Sequence, residues 1–184
     1  MTEKETKRKN GMTEKREFIW KICMLGDPSV GKTSLITYYS QRTFKEDYLP
    51  TLGANFSIKD IDLDKNSHAK VYIWDIASQV KFASMRKIFY EKANAALFVF
   101  DVTNRKSFER IDTWNHDLID SLGTEFPSAL VANKIDMERL VTSEEGFDKA
   151  SDLGMSYYET SAKTGVGVDD AFMNLIILIS DRLQ

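Results

Sequence analysis

The chain has 184 residues, a formal net charge of −3 at pH 7 and a 42% share of hydrophobic residues. A chain of this size and composition is typical of one ordinary globular domain and not of an intrinsically disordered protein. The slightly acidic balance argues against a nucleic-acid-binding domain, and the single cysteine excludes a scaffold held by internal disulfides.

The first 17 residues are almost entirely polar and carry a small surplus of basic side chains. Because this stretch lacks apolar periodicity, burial cannot offset the entropy that would be lost on ordering it. We therefore predict a flexible charged tail over residues 1–17 and a folded domain over residues 18–184. A weak contact of the tail with a partner or with an anionic lipid surface is the alternative.

The two ends of the chain show no targeting or anchoring signal. The N-terminus lacks the apolar core of a signal peptide, no apolar run is long enough to cross a membrane, and no cysteine near the C-terminus offers a prenylation site. We expect a cytoplasmic protein with no stable membrane anchor in this chain. Its C-terminus is either natural or the end of a truncated piece.

Strands and helices are predicted to alternate along the remaining chain. Apolar runs and alternating patterns predict strands at 18–25, 55–62, 68–76, 95–102, 128–132 and 155–159. Helical spacing and capping residues predict helices at 32–39, 107–121, 143–153 and 168–183. The second and third strands form a hairpin, which places one antiparallel strand at the edge of a mainly parallel sheet with helices on both faces.

Two of the predicted helices begin with capping signals. Ser107 is the expected N-cap of the second helix, and Thr142 opens a capping-box-like sequence before the third. Both predictions depend on a side-chain oxygen that accepts from the first free N–H groups of a helix.

The turn between the first strand and the first helix fits the pattern G-x-x-x-x-G-K-[ST] of a phosphate-binding loop. It consists of Gly26, Asp27, Pro28, Ser29, Val30, Gly31, Lys32 and Thr33, and Ser34 follows it. Small residues let backbone N–H groups face phosphate oxygens, and the start of the helix adds partial positive charge. In such a loop Lys32 neutralises the β- and γ-phosphates, and the Thr33 hydroxyl is placed to bind Mg²⁺. An ordinary strand-to-helix turn is the alternative, which the strand-loop-helix context disfavours.

Two short motifs at the ends of later strands predict which base is bound. They comprise Asn133, Lys134 and Asp136, and then Ser161, Ala162 and Lys163. Ligands bind at the carboxyl ends of the strands in open α/β sheets. The Asp136 carboxylate accepts hydrogen bonds from N1–H and N2–H₂ of guanine, which adenine does not offer, and a backbone N–H of the second motif reaches guanine O6. An ordinary Asn-Lys turn and a helix-capping serine are the alternatives.

In this order, the motifs resemble those of the Ras superfamily of small GTPases, and of its Rab-like members in particular. The resemblance spans about residues 18–183 and is carried by residues 26–33, 48–56, 74–79, 97–104, 107–108, 133–136 and 161–163. It implies an α/β fold of the P-loop NTPase class, a small G domain with a six-stranded, mostly parallel sheet and about five helices on both faces. It also implies a protein that binds GTP or GDP with Mg²⁺, and we expect a monomer.

The resemblance assigns roles to residues outside the phosphate loop as well. It implies that Thr51 binds Mg²⁺ together with Thr33, and that Asp75 holds the ion through water. Gln79 orients the attacking water by the same resemblance, and together with Lys32 it forms the predicted catalytic pair.

The resemblance also implies contacts with the base and with other proteins. Phe44 packs edge-on against the guanine and Lys134 lies across its face, although the residues alone allow Phe44 to be an ordinary surface-loop anchor. Effectors, an exchange factor and an activating protein are expected to bind through residues around 44–56 and 76–90. Such partners can also bring the protein to membranes.

Three features depart from the family pattern. Ser78 stands where the family has the glycine whose N–H binds the γ-phosphate, so a nucleotide state that needs positive φ there is disfavoured by about 1–3 kcal/mol. Pro28 adds bulk and removes an N–H in the phosphate loop, which predicts reduced sensitivity to an activating protein. Val80 and Lys81 replace the acidic residue usual after Gln79, which leaves the choice of partner open.

The leading hypothesis is a guanine-nucleotide-binding molecular switch with slow, Mg²⁺-dependent GTP hydrolysis. Tyr48 occupies the position where a G-protein α-subunit supplies its arginine, so unaided turnover is expected on the order of 10⁻⁴ s⁻¹ or below. The main alternative is a pseudo-GTPase scaffold whose nucleotide is locked in place because of Ser78. A phosphotransferase with the same loop is a third hypothesis, which the guanine motif and the lack of an acceptor domain disfavour.

Overall fold

The computed structural model describes residues 15–44, 51, 53–78, 86–123 and 127–182. Within them one six-stranded sheet has the strand order β2–β3–β1–β4–β5–β6. Its strands are Arg16–Leu25 (β1), Ala54–Asp64 (β2), Ser67–Ile76 (β3), Ala95–Asp101 (β4), Ser128–Asn133 (β5) and Ser156–Thr160 (β6). All neighbouring strands pair in parallel except β2 and β3, which form the antiparallel hairpin at one edge. The predicted fold class is confirmed.

The described part of the chain contains six helical segments. They are Lys32–Gln41 (α1), Arg86–Tyr90 (α2), Arg105–Glu109 (α3), Ile111–Leu122 (α4), Ser143–Asp152 (α5) and Val168–Asp181 (α6). None of the helices in these residues has the length and apolar character needed to cross a membrane.

Two hydrophobic layers cover the faces of the sheet. Alternate side chains of β1 serve opposite layers, because successive residues of a strand point to opposite faces. Ile22 and Met24 join the layer under α1 and α6, where Tyr39 stacks on Phe172 with ring centroids 4.2 Å apart. Cys23 joins the layer under α2, α4 and α5. The seven residues of the central strand β4 are all buried, as expected for a parallel strand covered on both faces.

The region predicted as one helix over 107–121 is two helices. Asn104, not Ser107, is the N-cap of α3, and its side chain accepts from the backbone N–H of Ser107. The Ser107 hydroxyl is buried and donates to the Asn104 carbonyl oxygen at 2.7 Å, so it was not available as a cap. The helix is interrupted at Arg110, and α4 begins at the next residue. The capping box at Thr142 is confirmed, with reciprocal bonds between Thr142 and Glu145.

The start of the first strand and an additional short helix also differ from the sequence-based expectation. Strand β1 begins at Arg16, because its backbone N–H reaches the Asn66 carbonyl oxygen at the β2–β3 turn; residues 16 and 17 therefore belong to the sheet. The remaining tail, residues 1–14, lies outside the described residues. Helix α2 was not predicted, since five residues are too few for a readable helical period.

Candidate functional site

The predicted site residues gather at one edge of the sheet. Strand β1 is parallel to β3 and β4, and β5 and β6 continue the parallel arrangement beyond β4. The carboxyl ends of these five strands therefore point the same way. The phosphate loop follows β1, Asp75 lies near the end of β3, and the two base motifs follow β5 and β6. The topology therefore assembles segments that lie more than a hundred residues apart in the chain.

Two glycines allow the phosphate loop its shape. Gly26 has φ 136°, and a Cβ there would run into the Val99 carbonyl oxygen on β4. Gly31 has φ 100°, and a Cβ there would meet the Asn133 side-chain amide. Both positions combine a left-handed backbone with close packing, which only glycine tolerates without strain. The loop is thereby pressed against the ends of β4 and β5.

Lys32 is buried and points back along the phosphate loop. Its ammonium donates to the carbonyl oxygens of Gly26 and Asp27, both at 2.9 Å, and lies 3.4 Å from the Ser78 hydroxyl. Burial lowers the pKa of Lys32 to about 8, while the carboxylates of Asp75 and Asp27 act in the opposite direction. Among the described residues, the acceptors within bonding distance of this buried ammonium are all neutral, an arrangement that suits the binding of an anion.

Two side chains from α4 and its N-terminal boundary hold the Asp27 carboxylate. The Trp114 indole N–H donates to Oδ1 at 2.9 Å, and the Arg110 guanidinium donates to Oδ2 at 3.2 Å. Asp27 itself is buried. The next two residues, Pro28 and Ser29, are exposed at the tip of the loop, where Ser29 adopts φ 65°. The loop is thus fixed at its base, while its tip faces outward.

Three oxygen-bearing side chains converge beside the start of α1. The hydroxyls of Thr33 and Thr51 both donate to Asp75 Oδ2, the second at 3.0 Å, and lie 3.2 Å from each other. Asp75 is 4% exposed, and its Oδ1 has no hydrogen-bond partner among the described residues. A buried carboxylate oxygen without a partner is costly, and hard oxygen ligands of this kind are those that Mg²⁺ prefers. These three residues therefore fit a magnesium ion.

Asn133 connects the phosphate loop with the base motifs. Its amide N–H donates to the Val30 carbonyl oxygen at 2.8 Å, and its Oδ1 accepts from the Thr160 hydroxyl and the Ala162 N–H. The side chain is almost completely buried and uses both ends of its amide. It thus acts as a structural bridge, and does not face solvent as the residue of an ordinary turn would.

The acidic residue of the first base motif is held by the second motif. The Ser161 hydroxyl donates to Asp136 Oδ1 at 2.6 Å and accepts from the Thr164 N–H at 3.1 Å. Ser161 is therefore a positioning group for Asp136 as well as a turn residue. The Ala162 N–H already donates to Asn133, so a guanine O6 would share that donor or meet the neighbouring Lys163 N–H.

Lys134 is anchored by a residue that the sequence analysis did not single out. Its ammonium lies 2.6 Å from Asp101 Oδ2, and its backbone has φ 70°, an uncommon value for a residue other than glycine. Asp101 ends β4, and its other oxygen accepts from the N–H and the hydroxyl of Thr103. An acid at the end of a buried strand was the available signal, because such ends meet at the ligand edge.

The described part of the chain does not connect every predicted residue to this network. Phe44 lies at the border of the described residues and is 37% exposed. Ser34 is half-buried in α1. Gln79 lies outside the described residues, as do Tyr48, Val80 and Lys81. Ser78 is buried near Lys32 and does not have positive φ.

Comparison with known proteins agrees with the resemblance to small GTPases that the sequence motifs indicated. The Ras family model matches residues 21–181 of this chain. The GTP-binding protein yptV5 of Volvox carteri is 38% identical over 169 residues, which cover 88% of this chain and 82% of that protein. The Ras-related protein Rab-8B of Homo sapiens is 34% identical over 175 residues, covering 94% and 84% respectively. The GTP-binding protein ypt2 of Schizosaccharomyces pombe is 35% identical over 165 residues, covering 89% and 82%.

Proposed function

This chain belongs to the Ras family and is similar to its Rab and Ypt members, and we propose that it is a guanine-nucleotide switch. In this proposal it binds GTP and GDP with Mg²⁺ and hydrolyses GTP slowly to GDP and phosphate. The supporting observation is the cluster of Thr33, Thr51 and Asp75 beside the buried Lys32, because it joins metal ligands and an anion-binding group in one place.

The residues present divide the work of nucleotide binding. Thr33 and Thr51 would hold Mg²⁺ through their hydroxyls and Asp75 through its carboxylate, and the ion would neutralise charge on the β- and γ-phosphates. Lys32 would exchange its two carbonyl contacts for phosphate oxygens, which raises the stability of its charged form. The backbone N–H groups of the phosphate loop and of α1 would bind the remaining oxygens.

Hydrolysis requires little covalent participation by the protein. A water oxygen bonds to the γ-phosphorus, the bond from that phosphorus to the β–γ bridging oxygen breaks, and GDP leaves with the electron pair. Lys32 stabilises the charge that develops on the leaving oxygen. We propose that Gln79 orients the water. No arginine was recognised by sequence at the position used in cis by G-protein α-subunits, so we expect an unaided rate on the order of 10⁻⁴ s⁻¹ or below.

The base side of the site supports guanine over adenine. Asp136 keeps one carboxylate oxygen clear of the Ser161 bond, so the group can accept from both N1–H and N2–H₂. Lys134, held over the end of β4 by Asp101, would lie across the ring. Adenine would leave the carboxylate unpaired, which is how a polar site rejects the wrong base.

Nucleotide extraction followed by a turnover assay tests this proposal. The freshly purified protein is denatured, the released nucleotide is identified by chromatography, and GTP hydrolysis is then followed with Mg²⁺ and with excess chelator. We expect bound GDP and slow phosphate release that requires Mg²⁺. A protein that carries no guanine nucleotide and has no measurable affinity for GDP would contradict the proposal.

A second candidate function, a pseudo-GTPase scaffold, is favoured by the environment of Ser78. Its buried hydroxyl lies 3.4 Å from the Lys32 ammonium, so it competes with a γ-phosphate for the same cation. Ser78→Gly removes both the hydroxyl and the Cβ, whereas Ser78→Ala removes only the hydroxyl. If the wild type does not turn over GTP, rescue by both variants assigns the block to the hydroxyl, and rescue by glycine alone assigns it to backbone restriction. Measurable turnover by the wild type rejects this candidate.

We propose that partner proteins bind the aromatic surface formed by Phe56, Trp74 and Phe89. Phe56 is 54% exposed and stacks on Trp74 with ring centroids 5.4 Å apart, and Phe89 extends the row at 6.3 Å from Trp74. Lys21 lies over the same Trp74 ring. This surface belongs to the two ranges expected to bind effectors and regulators, 44–56 and 76–90, together with the strand between them. Through such partners a monomeric, cytoplasmic protein would reach membranes.

A further inference from the structure

Helix α2 is attached to α4 by a buried cation. The Arg86 guanidinium donates to Asp117 Oδ2 at 2.9 Å and lies over the Trp114 ring, 4.5 Å from its centroid. The Tyr90 hydroxyl donates to the same oxygen of Asp117 at 2.8 Å. The Arg86 side chain is only 11% exposed, and its Nε has no partner among the described residues. A buried cation is stable only where it is paired, so these contacts define one docked position of α2.

The ring that carries Arg86 also holds the phosphate loop. The edge of the Trp114 indole donates to the Asp27 carboxylate, while its face carries the guanidinium. The Asp27 backbone carbonyl in turn accepts from the Lys32 ammonium. A continuous series of contacts therefore leads from α2 through Trp114 to the phosphate loop, and each side chain in it is buried or nearly so.

The position of α2 along the chain connects this series with the phosphate site a second time, because α2 lies shortly after Ser78. Ser78 lies beside Lys32, and α2 begins eight positions later in the chain at Arg86. A change in the position of α2 alters the stacking on Trp114. Since the indole N–H is a directional donor, a displaced ring loses its bond to Asp27. The cost is large, because Asp27 is a buried carboxylate.

We propose that Trp114 is a positioning residue for the phosphate loop, and that Arg86 couples this role to the docking of α2, so that undocking of α2 speeds nucleotide release. The inference rests on the proposed function for the identity of the nucleotide. The coupling itself is a property of the protein contacts. Neither Arg86 nor Trp114 lies in any of the nucleotide-binding motifs, so both can be changed without removing a ligand of the nucleotide.

The test measures the release rate of a fluorescent GDP analogue from the full chain in the presence of Mg²⁺. Arg86→Met keeps an unbranched apolar stem and removes the charged guanidinium, and we expect release about fivefold faster or more. Trp114→Phe keeps a ring and removes the N–H donor, and we expect release about tenfold faster or more. Asp112→Asn is the matched control. Asp112 lies on α4 but pairs with Lys149 at 2.7 Å, outside the series, and its variant should stay within about twofold of the wild type.

The double variant with Arg86→Met and Trp114→Phe shows whether the two residues act in one series of contacts or independently of each other. If Arg86 acts through Trp114, the effects of the two substitutions on the logarithm of the release rate are less than additive. Full additivity would overturn the proposal. So would an Arg86→Met variant that unfolds at a lower temperature yet releases the nucleotide at the wild-type rate, because Arg86 would then be only a structural anchor of α2.

A second measurement does not depend on the nucleotide. Amide hydrogen exchange at residues 26–33 should be faster in Arg86→Met than in the wild type and in Asp112→Asn. Unchanged exchange in the phosphate loop would overturn the coupling. A wild-type protein that binds no guanine nucleotide would contradict the proposed function instead, and this exchange measurement would still decide the coupling.

Discussion

The two halves of the site are built on different principles. On the base side, Asn133, Asp136, Ser161 and Lys134 each have a protein partner, and the bonds between them link β5 with the loop after β6. On the phosphate side, a buried ammonium rests on carbonyl oxygens, and Asp75 Oδ1 has no partner within the described residues. The base half is held in place by bonds within the protein, with one Asp136 oxygen left for a base, whereas the phosphate half has charge that suits a ligand.

This difference indicates how recognition and response are divided. A preorganised network contributes selectivity, because it does not rearrange to accept a wrong base. A region with unpaired charge changes its energy most when phosphate and metal are gained or lost. We therefore expect the base half to determine which nucleotide binds, and the phosphate half to respond to the state of that nucleotide. Three predictions test this division and a fourth tests the scaffold around it, in order of decreasing expected effect.

The largest effect should come from Asp136→Asn on the base side. An amide cannot accept from both N1–H and N2–H₂ of guanine, but its N–H₂ can donate to the 2-oxo group of xanthine. We expect GDP affinity to fall on the order of 10³-fold or more, with a gain for xanthosine diphosphate. Binding constants for both nucleotides check this, with Glu138→Gln in the same loop as the control because Glu138 is exposed. Equal loss for both nucleotides would mean that Asp136 has only a structural role.

The next effect should come from Asn133→Ala, which removes the bridge between the halves. Three hydrogen bonds are lost, and the Val30 and Thr160 partners are left buried or nearly so. We expect the free energy of unfolding to fall by about 3 kcal/mol. Urea denaturation measures the free energy of unfolding of the wild type and of this variant. The control is Asn115→Ala, which changes a half-buried asparagine on α4. A loss no larger than that of Asn115→Ala would show that the halves are stable independently.

A smaller and more selective effect is expected from Thr33→Val on the phosphate side. Valine keeps the shape of threonine but removes the hydroxyl that contacts Asp75 and faces Thr51. A chelator should increase the rate of GDP release about tenfold less in this variant than in the wild type, because the metal contributes less to nucleotide binding there. Thr37→Val, one turn later in α1, is the control. Retention of the full chelator effect would exclude Thr33 as a metal ligand.

The smallest effect concerns the scaffold outside both halves. Bonds from Arg105, and then from the Thr142 backbone, lower the pKa of Glu145 from its ordinary value of 4.5 to about 2. A carboxylate with a lowered pKa in the folded state stabilises the fold above pH 4.5 and loses that contribution as the pH falls toward 2. Thermal unfolding between pH 6 and pH 3 should therefore depend less on pH in Glu145→Gln than in the wild type.

The neighbouring Glu144 supplies the matched control for this measurement. It lies in the same first turn of α5, and the capping box is made by Glu145 and not by Glu144. Glu144→Gln should follow the wild-type pH profile. Identical profiles for all three proteins would contradict the expected contribution of the capping box.

Predictions from the sequence were strongest where one short segment carries the information. The phosphate loop, the capping box at Thr142 and the edge hairpin were readable, because their residue types specify turns and caps locally. The pair of Asp101 and Lys134 was not predicted, since Asp101 ends β4 whereas Lys134 follows β5. The true cap at Asn104 was also missed, because only the fold buries Ser107 and engages its hydroxyl.

The sequence alone therefore determined the fold class, the order of the motifs and the chemistry that each motif can offer. The tertiary structure decided which of those groups meet. It brought Asp75 to Thr33 and Asn133 to Val30, and it supplied Trp114 as the donor to Asp27. The physical reason is that local patterns follow from backbone geometry within a few residues, whereas contacts between distant segments depend on the register and packing of a parallel sheet.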